Sequence, residues 1–238
     1  DLRTFLCDIT NERIRKHFGQ LKTKMLRGFI FHGPPGNGKT LIARAVAYES
    51  NVNFISISGA DLIGRYVGHG AHAVRELFKV ARRHSPCIVF IDEIDAVALS
   101  RSSRNNSSAE HSRESLTQLL TEIDGFQSDK NIKVIAATNR LNDIDPALLR
   151  PGRLGKKFYI SNPDFNTRVD ALKFYTKGLD PLSDLDMKNI AKKTEGYSFA
   201  ELESFIMDAK FDSLKTGTYP TLTINNFAVK NHAELVRI

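Results

Sequence analysis

The chain has 238 residues, 34 Lys or Arg against 27 Asp or Glu for a net charge of +7, and 41% hydrophobic residues. These are the proportions of a soluble globular protein large enough for one big α/β unit or two smaller ones. Two cysteines, Cys7 and Cys87, rule out a disulfide framework; no apolar run approaches the roughly 20 residues of a membrane helix, and the basic residues form no consecutive block that would argue for nucleic acid.

The N-terminal stretch "DLRTFLCDIT" lacks a basic region followed by an apolar one, so no signal peptide is expected, and a reducing compartment such as the cytoplasm fits. It opens inside helical-looking sequence, as an excised domain would, which leaves a membrane anchor outside the chain open. Apolar runs then alternate with helical patterns, the signature of a mostly parallel sheet with helices on both faces. Strands are predicted near Gly28–His32, Phe54–Ser58, Cys87–Asp92, Ile132–Thr138 and Lys157–Ser161. Between them, Val74, Leu77, Phe78 and Ala81 fall on one helical stripe, as do Leu116, Leu119, Leu120 and Ile123 in a helix ending at Gly125. Leu99 to Ser112, rich in Ser and Asn, reads as a flexible surface loop. Asn162-Pro163 marks a boundary, after which only helices are expected, over Asn166–Leu179, Asp184–Thr194, Phe199–Leu214 and Asn225–Val236. Residues 1–162 are thus an expected α/β domain and 163–238 a small helical one.

The chemistry is concentrated at strand ends. "GPPGNGKT", Gly33 to Thr40, follows the first strand and opens a helix. It fits the P-loop pattern: a glycine-rich turn whose backbone N–H groups curl around a polyphosphate, Lys39 to reach the β- and γ-phosphates, and the Thr40 hydroxyl to hold Mg²⁺. The third strand ends in Asp92 and Glu93, placed to hold Mg²⁺ and to deprotonate an attacking water. The fourth ends in Asn139, an amide able to hydrogen-bond a γ-phosphate or that water. Arg150 and Arg153 flank Pro151-Gly152 on a rigid bend, where arginine can stabilise a transferring phosphoryl group or form a basic surface patch. Tyr66, among Gly64, Gly68 and Gly70, is a presented aromatic on a mobile loop. His69, His72 and His111 have no carboxylate or cysteine at a metal-binding spacing and are read as solvated.

"GPPGNGKT", "IVFIDEIDA", "IAATNR" and "DIDPALLRPGR", in this order and spacing, resemble the AAA ATPase family, and most closely its branch of FtsH-type proteases and proteasomal regulatory ATPases. The resemblance covers about residues 20 to 210. It implies a five-stranded α/β P-loop domain with a C-terminal helical lid, and ATP and Mg²⁺ as cofactors. It implies nucleotide contacts from Gly33, Pro34, Pro35, Gly36, Asn37, Gly38, Lys39, Thr40, Leu41 and Ala200. It further implies a sensor role for Asn139, arginine fingers at Arg150 and Arg153 acting on a neighbour's ATP, and a substrate-gripping pore loop at Tyr66, Val67 and Gly68. The activity implied is protein unfolding or translocation by a hexameric ring, alone or as the ATPase module of a membrane-anchored metalloprotease. The HExxH protease motif itself is absent from the chain. A nucleic-acid motor and a nucleotide-switched scaffold are the alternatives from other classes.

The sequence departs from the family pattern in places. Asn37 replaces Thr at a position expected to face solvent or a neighbour with little consequence. Leu154-Gly155-Lys156-Lys157 follows the arginines where the family continues differently. Phe199 replaces a glycine, Glu201 an aspartate and Tyr175 a histidine near the adenine, so looser base selectivity is expected.

Overall fold

The computed structural model describes residues 27–63, 68–98, 108–125, 131–179, 183–222 and Phe227. By contact the chain divides into two compact units: one runs to Gly33 and resumes over Lys39–Ile160, and the other comprises Pro34–Gly38 and the residues from Ser161 onward.

The first unit holds β1 (Gly28–His32), α1 (Lys39–Glu49), β2 (Asn53–Ser58), α2 (His69–Arg83), β3 (Cys87–Asp92), α3 (Asp95–Ala98), α4 (Ser108–Gly125), β4 (Ile132–Thr138) and β5 (Lys156–Tyr159). The five strands form one sheet in the order β2-β3-β4-β1-β5, parallel throughout. Parallel sheets are covered on both faces, so their central strands read as continuous apolar runs, and β1, β3 and β4 do so. Ile30, Val89, Ile91, Val134 and Ala136 point to one core, shared with Val74, Leu77 and Phe78 of α2 and Leu116, Leu119 and Ile123 of α4. Phe29, Phe31, Ile88, Phe90 and Ile135 point to the other, against Ala43, Val46 and Ala47 of α1. Each fully buried aliphatic or aromatic side chain here contributes about 1.5–3 kcal/mol. The predicted stripes on α2 and α4 are the buried faces, with Leu120 partly buried at the margin. At the outer edge, β5 carries Lys156 and Lys157, charges that blunt an exposed strand against further pairing.

The predicted strands are found within one or two residues of their expected ends. One expectation is corrected. The stretch read as a loop to Ser112 is already helical from Ser108. Its first turns are too polar to carry an apolar period, so backbone helicity there left no mark in the sequence.

The second unit contains α5 (Phe165–Tyr175), α6 (Asp184–Lys193) and α7 (Phe199–Thr216). Each start is capped: Asp164, Ser183 and Ser198 accept from the backbone N–H three residues on. Ser198 and Glu201 complete a capping box on α7, so Glu201 serves the helix start. Leu172, Ile190, Leu202, Ile206 and Phe227 form its core, and buried Arg168 donates to the carbonyls of Ala191 and Pro163. The predicted helix over Asn225–Val236 lies outside the described residues. No helix among the described residues is long and apolar enough to cross a membrane.

Candidate nucleotide site

Strand order explains how residues scattered over a hundred positions meet. Because β4 lies between β3 and β1, the carboxyl ends of three neighbouring strands deliver Asp92 and Glu93, Asn139, and the start of the P-loop. In open α/β sheets that edge, where strand order reverses, is where ligands sit.

Within the sheet unit, Gly33 leaves β1 with φ +142°, and a Cβ there would meet the Ile160 carbonyl oxygen at 2.1 Å. Only glycine fits this exit. Lys39 is 8% exposed, and its Nζ donates to the Gly33 carbonyl at 2.9 Å. Burial lowers its pKa, partly opposed by the Asp92 carboxylate. Thr40 Oγ1 donates to Asp92 Oδ2 at 2.6 Å. This hydroxyl–carboxylate pair, one oxygen from the first turn of α1 and one from the end of β3, fits a Mg²⁺ ion, which prefers hard oxygen ligands and takes the rest from phosphate and water. Among the described residues no group of three or more His, Cys, Asp or Glu could form an all-protein metal cage. Leu41 is 71% exposed. The pKa of His32, just before the loop, is lowered by burial and then by Lys157 and Lys39.

Glu93 is exposed and sits at φ +48°, in the left-handed region that a non-glycine residue adopts at a cost of about 1–3 kcal/mol. Its N–H donates to Asp92 Oδ1 at 2.9 Å and its carbonyl accepts from Ala96. The bend turns the glutamate out of the strand line while Asp92 continues it. Next to it, Asn139 is exposed, and its side chain has no partner among the described residues. Beneath it, Thr138 Oγ1 donates to Asp95 Oδ1 at 2.6 Å and accepts from Arg140 N–H. Thr138 and Asp95 thus lock the end of β4 to the start of α3, a support role the sequence reading missed: both residues stand inside the quoted motifs, but nothing in either motif shows that the two side chains meet across 43 positions.

The arginines differ. Arg150 is exposed with no side-chain partner among the described residues. Arg153 makes a bidentate pair with Asp124 at the end of α4, at 3.0 and 2.6 Å, and donates to the Ala147 carbonyl at 2.7 Å. Arg27 joins the same helix end through the Ile123 and Asp124 carbonyls. The Arg153 hydrogen bond holds the Asp124 carboxyl below the usual carboxylate range, against the opposing effect of burial. A depressed folded-state pKa means this contribution is present above the ordinary carboxylate pKa and lost as pH falls through the lowered value. Asp124→Asn should therefore flatten the acid-side loss of stability in thermal melts between about pH 5 and pH 3; an unchanged slope would exclude the pair as its source.

Within the second unit, the loop tip packs on the start of α7. Gly36 and Gly38 both have φ +74°, with Asn37 between them not left-handed, an alternation that curls the backbone into an anion-binding concavity. A Cβ on Gly36 would meet Ala200 Cβ and Ser198 Oγ at 2.9 Å, and Ala200 N–H donates to the Gly36 carbonyl at 3.0 Å. Asn37, expected to face solvent or a neighbour, is instead 3% exposed. Its amide accepts from Phe199 N–H at 3.4 Å and donates to Asn162 Oδ1 at 2.7 Å. Phe199 thereby offers its backbone rather than its ring to the loop, and its carbonyl accepts from the Tyr175 hydroxyl at 3.5 Å.

Of the residues expected to form a pore loop, Tyr66 and Val67 lie outside the described residues. Gly68 caps α2 at φ +81°, and its N–H donates to Glu114 Oε2 of α4 at 2.9 Å. Glu114 was not singled out in the sequence; a lone acid inside an amphipathic helix carries no signal of such a contact.

Residues 29–162 match the family described as ATPase family associated with various cellular activities (AAA). An ATP-dependent zinc metalloprotease FtsH 1 of Thermomicrobium roseum is 47% identical over 192 residues, which are 81% of this chain and 29% of that protein. A proteasome-activating nucleotidase of Aeropyrum pernix is 42% identical over 201 residues, 84% of this chain and 49% of its own length. A cell division cycle protein 48 homolog of Archaeoglobus fulgidus is 44% identical over 206 residues, 87% of this chain and 28% of its own. The chain thus spans at most half the length of these relatives. The matched segment contains the whole strand-end constellation, and on that match the chain belongs to the AAA family of ATPases.

Proposed function

We propose that this ATPase domain is the motor of a protein-remodelling machine, hydrolysing ATP at an interface between copies of itself and drawing polypeptide through the ring they form. The observation that carries the reading is the meeting of Lys39, the Thr40–Asp92 pair, Glu93 and Asn139 at three adjacent strand ends. Lys39 neutralises the β- and γ-phosphates. Thr40 and Asp92 would hold Mg²⁺, which supplies charge neutralisation across those phosphates. Glu93 takes the proton from the attacking water, and Asn139 orients that water or the γ-phosphate. Arg150, exposed on its bend, reaches toward a neighbouring copy's ATP. The number of copies is proposed to be six.

The names of the relatives support the motor reading, since they include a proteasome-activating nucleotidase and FtsH metalloproteases. In such a machine the substrate is an unfolded or tagged protein, and Tyr66 with Val67 and Gly68 grips it. A protease, attached or separate, would receive the product, and a membrane anchor would belong to segments other than these. The test is the unfolding of a fluorescent protein carrying an unstructured tail. Tyr66→Ala should spare ATP hydrolysis and slow unfolding at least tenfold. An unchanged unfolding rate would remove Tyr66 from the pore role, and ATPase activity independent of protein concentration would count against assembly.

A further inference from the structure

The side chain of Asn37 is buried in a loop whose two flanking glycines give the backbone no restraint of their own. Its amide is fixed at both ends. Phe199 N–H can only donate, so the atom facing it is Oδ1. Nδ2 then faces the Pro34 carbonyl at 3.4 Å and Asn162 Oδ1 at 2.7 Å. Asn162 is oriented independently, because its Nδ2 donates to the Gly196 carbonyl at 2.7 Å. A backbone donor at one end and a backbone acceptor at the other thus set the direction of two side-chain amides in series. All these groups belong to the second unit.

We infer that Asn37 and Asn162 form an amide relay that positions the tip of the phosphate loop, making both of them positioning residues for the nucleotide's phosphates. The inference rests on the nucleotide-site reading and adds two residues to it. The physical reason is preorganisation. The tip's backbone N–H groups bind a polyphosphate best if their arrangement is already fixed, and each free rotation lost on binding lowers affinity. The Gly36 carbonyl is held by Ala200 N–H, and the Asn37 amide is a second anchor one residue on. A threonine at position 37 has one hydroxyl and lacks the planar donor–acceptor pair needed to meet Phe199 N–H and Asn162 together. Asn162 is only half-buried, so its truncation leaves the core and the loop's own sequence intact.

The experiment measures ADP affinity by calorimetry with Mg²⁺ present, and steady-state ATPase kinetics, for the parent chain, Asn37→Thr, Asn162→Ala, the double variant and Lys39→Ala. Loop positioning acts on ground state and transition state alike, so KM should rise while kcat holds. Each single variant should weaken ADP binding about fivefold, the scale of one hydrogen bond. The double variant should lose no more than the weaker-binding single, because the two amides act as one unit. Unchanged ADP affinity in both singles overturns the relay, as does a double loss equal to the product of the single losses, or a fall in kcat at constant KM. Failure of the parent to bind ADP more tightly than Lys39→Ala overturns the site reading and the relay with it. Normal binding by the parent with unaffected amide variants overturns the relay alone.

Discussion

Glu93→Gln should hold ATP and scarcely turn it over. The substitution keeps the size and the hydrogen-bonding reach of the side chain but removes its basicity, and general-base catalysis is worth about 10²–10⁴-fold. The residues proposed for phosphate and Mg²⁺, namely Lys39, Thr40 and Asp92, form their own contacts without the Glu93 side chain, so binding survives. Single-turnover hydrolysis should fall by about 100-fold or more while ATP affinity, measured by filter retention, changes by less than about threefold. Hydrolysis at the parent rate would remove Glu93 as the base. Loss of ATP binding instead would indicate that the strained turn at φ +48°, and not the carboxylate, is what the substitution disturbs.

Arg150→Ala should cut kcat by about 10³-fold, the low end of what an arginine finger contributes, with little change in ADP affinity. Arg150 is chosen over Arg153 on geometry: one is exposed and free of partners among the described residues, while the other is tied to Asp124 and Ala147. To act on a neighbour, Arg153 would first have to leave a bidentate ion pair, which costs two charge-assisted hydrogen bonds. The decisive measurement mixes two dead proteins. Arg150→Ala keeps an intact nucleotide site, and Lys39→Ala keeps an intact Arg150, so mixed assemblies should recover activity that neither has alone. Absence of any recovery would place the arginine's action within its own chain, or deny it a catalytic role.

Much of this site is legible in the sequence, for a physical reason. A parallel strand buried on both faces is a block of apolar residues, and the first polar residue after it marks where the chain leaves the sheet. "IVFIDE" and "KVIAATN" announce both the strand and the position of Asp92, Glu93 and Asn139. Side-chain pairing across long separations was not legible. Nothing near Asp124 shows that it meets Arg153, nor near Asn37 that it meets Asn162, 125 positions away. The burial of Asn37 was misjudged because a polar residue between two glycines reads as a solvated turn, whereas here its amide replaces water with protein partners. The Glu93 backbone is invisible for another reason: left-handed conformation in a non-glycine residue is imposed by its surroundings and leaves no trace in local sequence.

The strand order also fixes when the site can come into being. β1, which carries the phosphate loop, has β4 on one side and β5 on the other, and both are made about a hundred residues after it. During synthesis β1 and β2 emerge first, yet they are never neighbours, since β3 and β4 insert between them. The loop therefore has no scaffold until nearly the whole sheet has emerged, and a nascent chain that holds nucleotide is one whose sheet has closed. Such a ligand binds only the finished fold, adding about 2.7 kcal/mol to stability at a hundred times its Kd. Parallel pairings over this separation are slow to form, and a ligand that binds only the paired strands opposes their reopening.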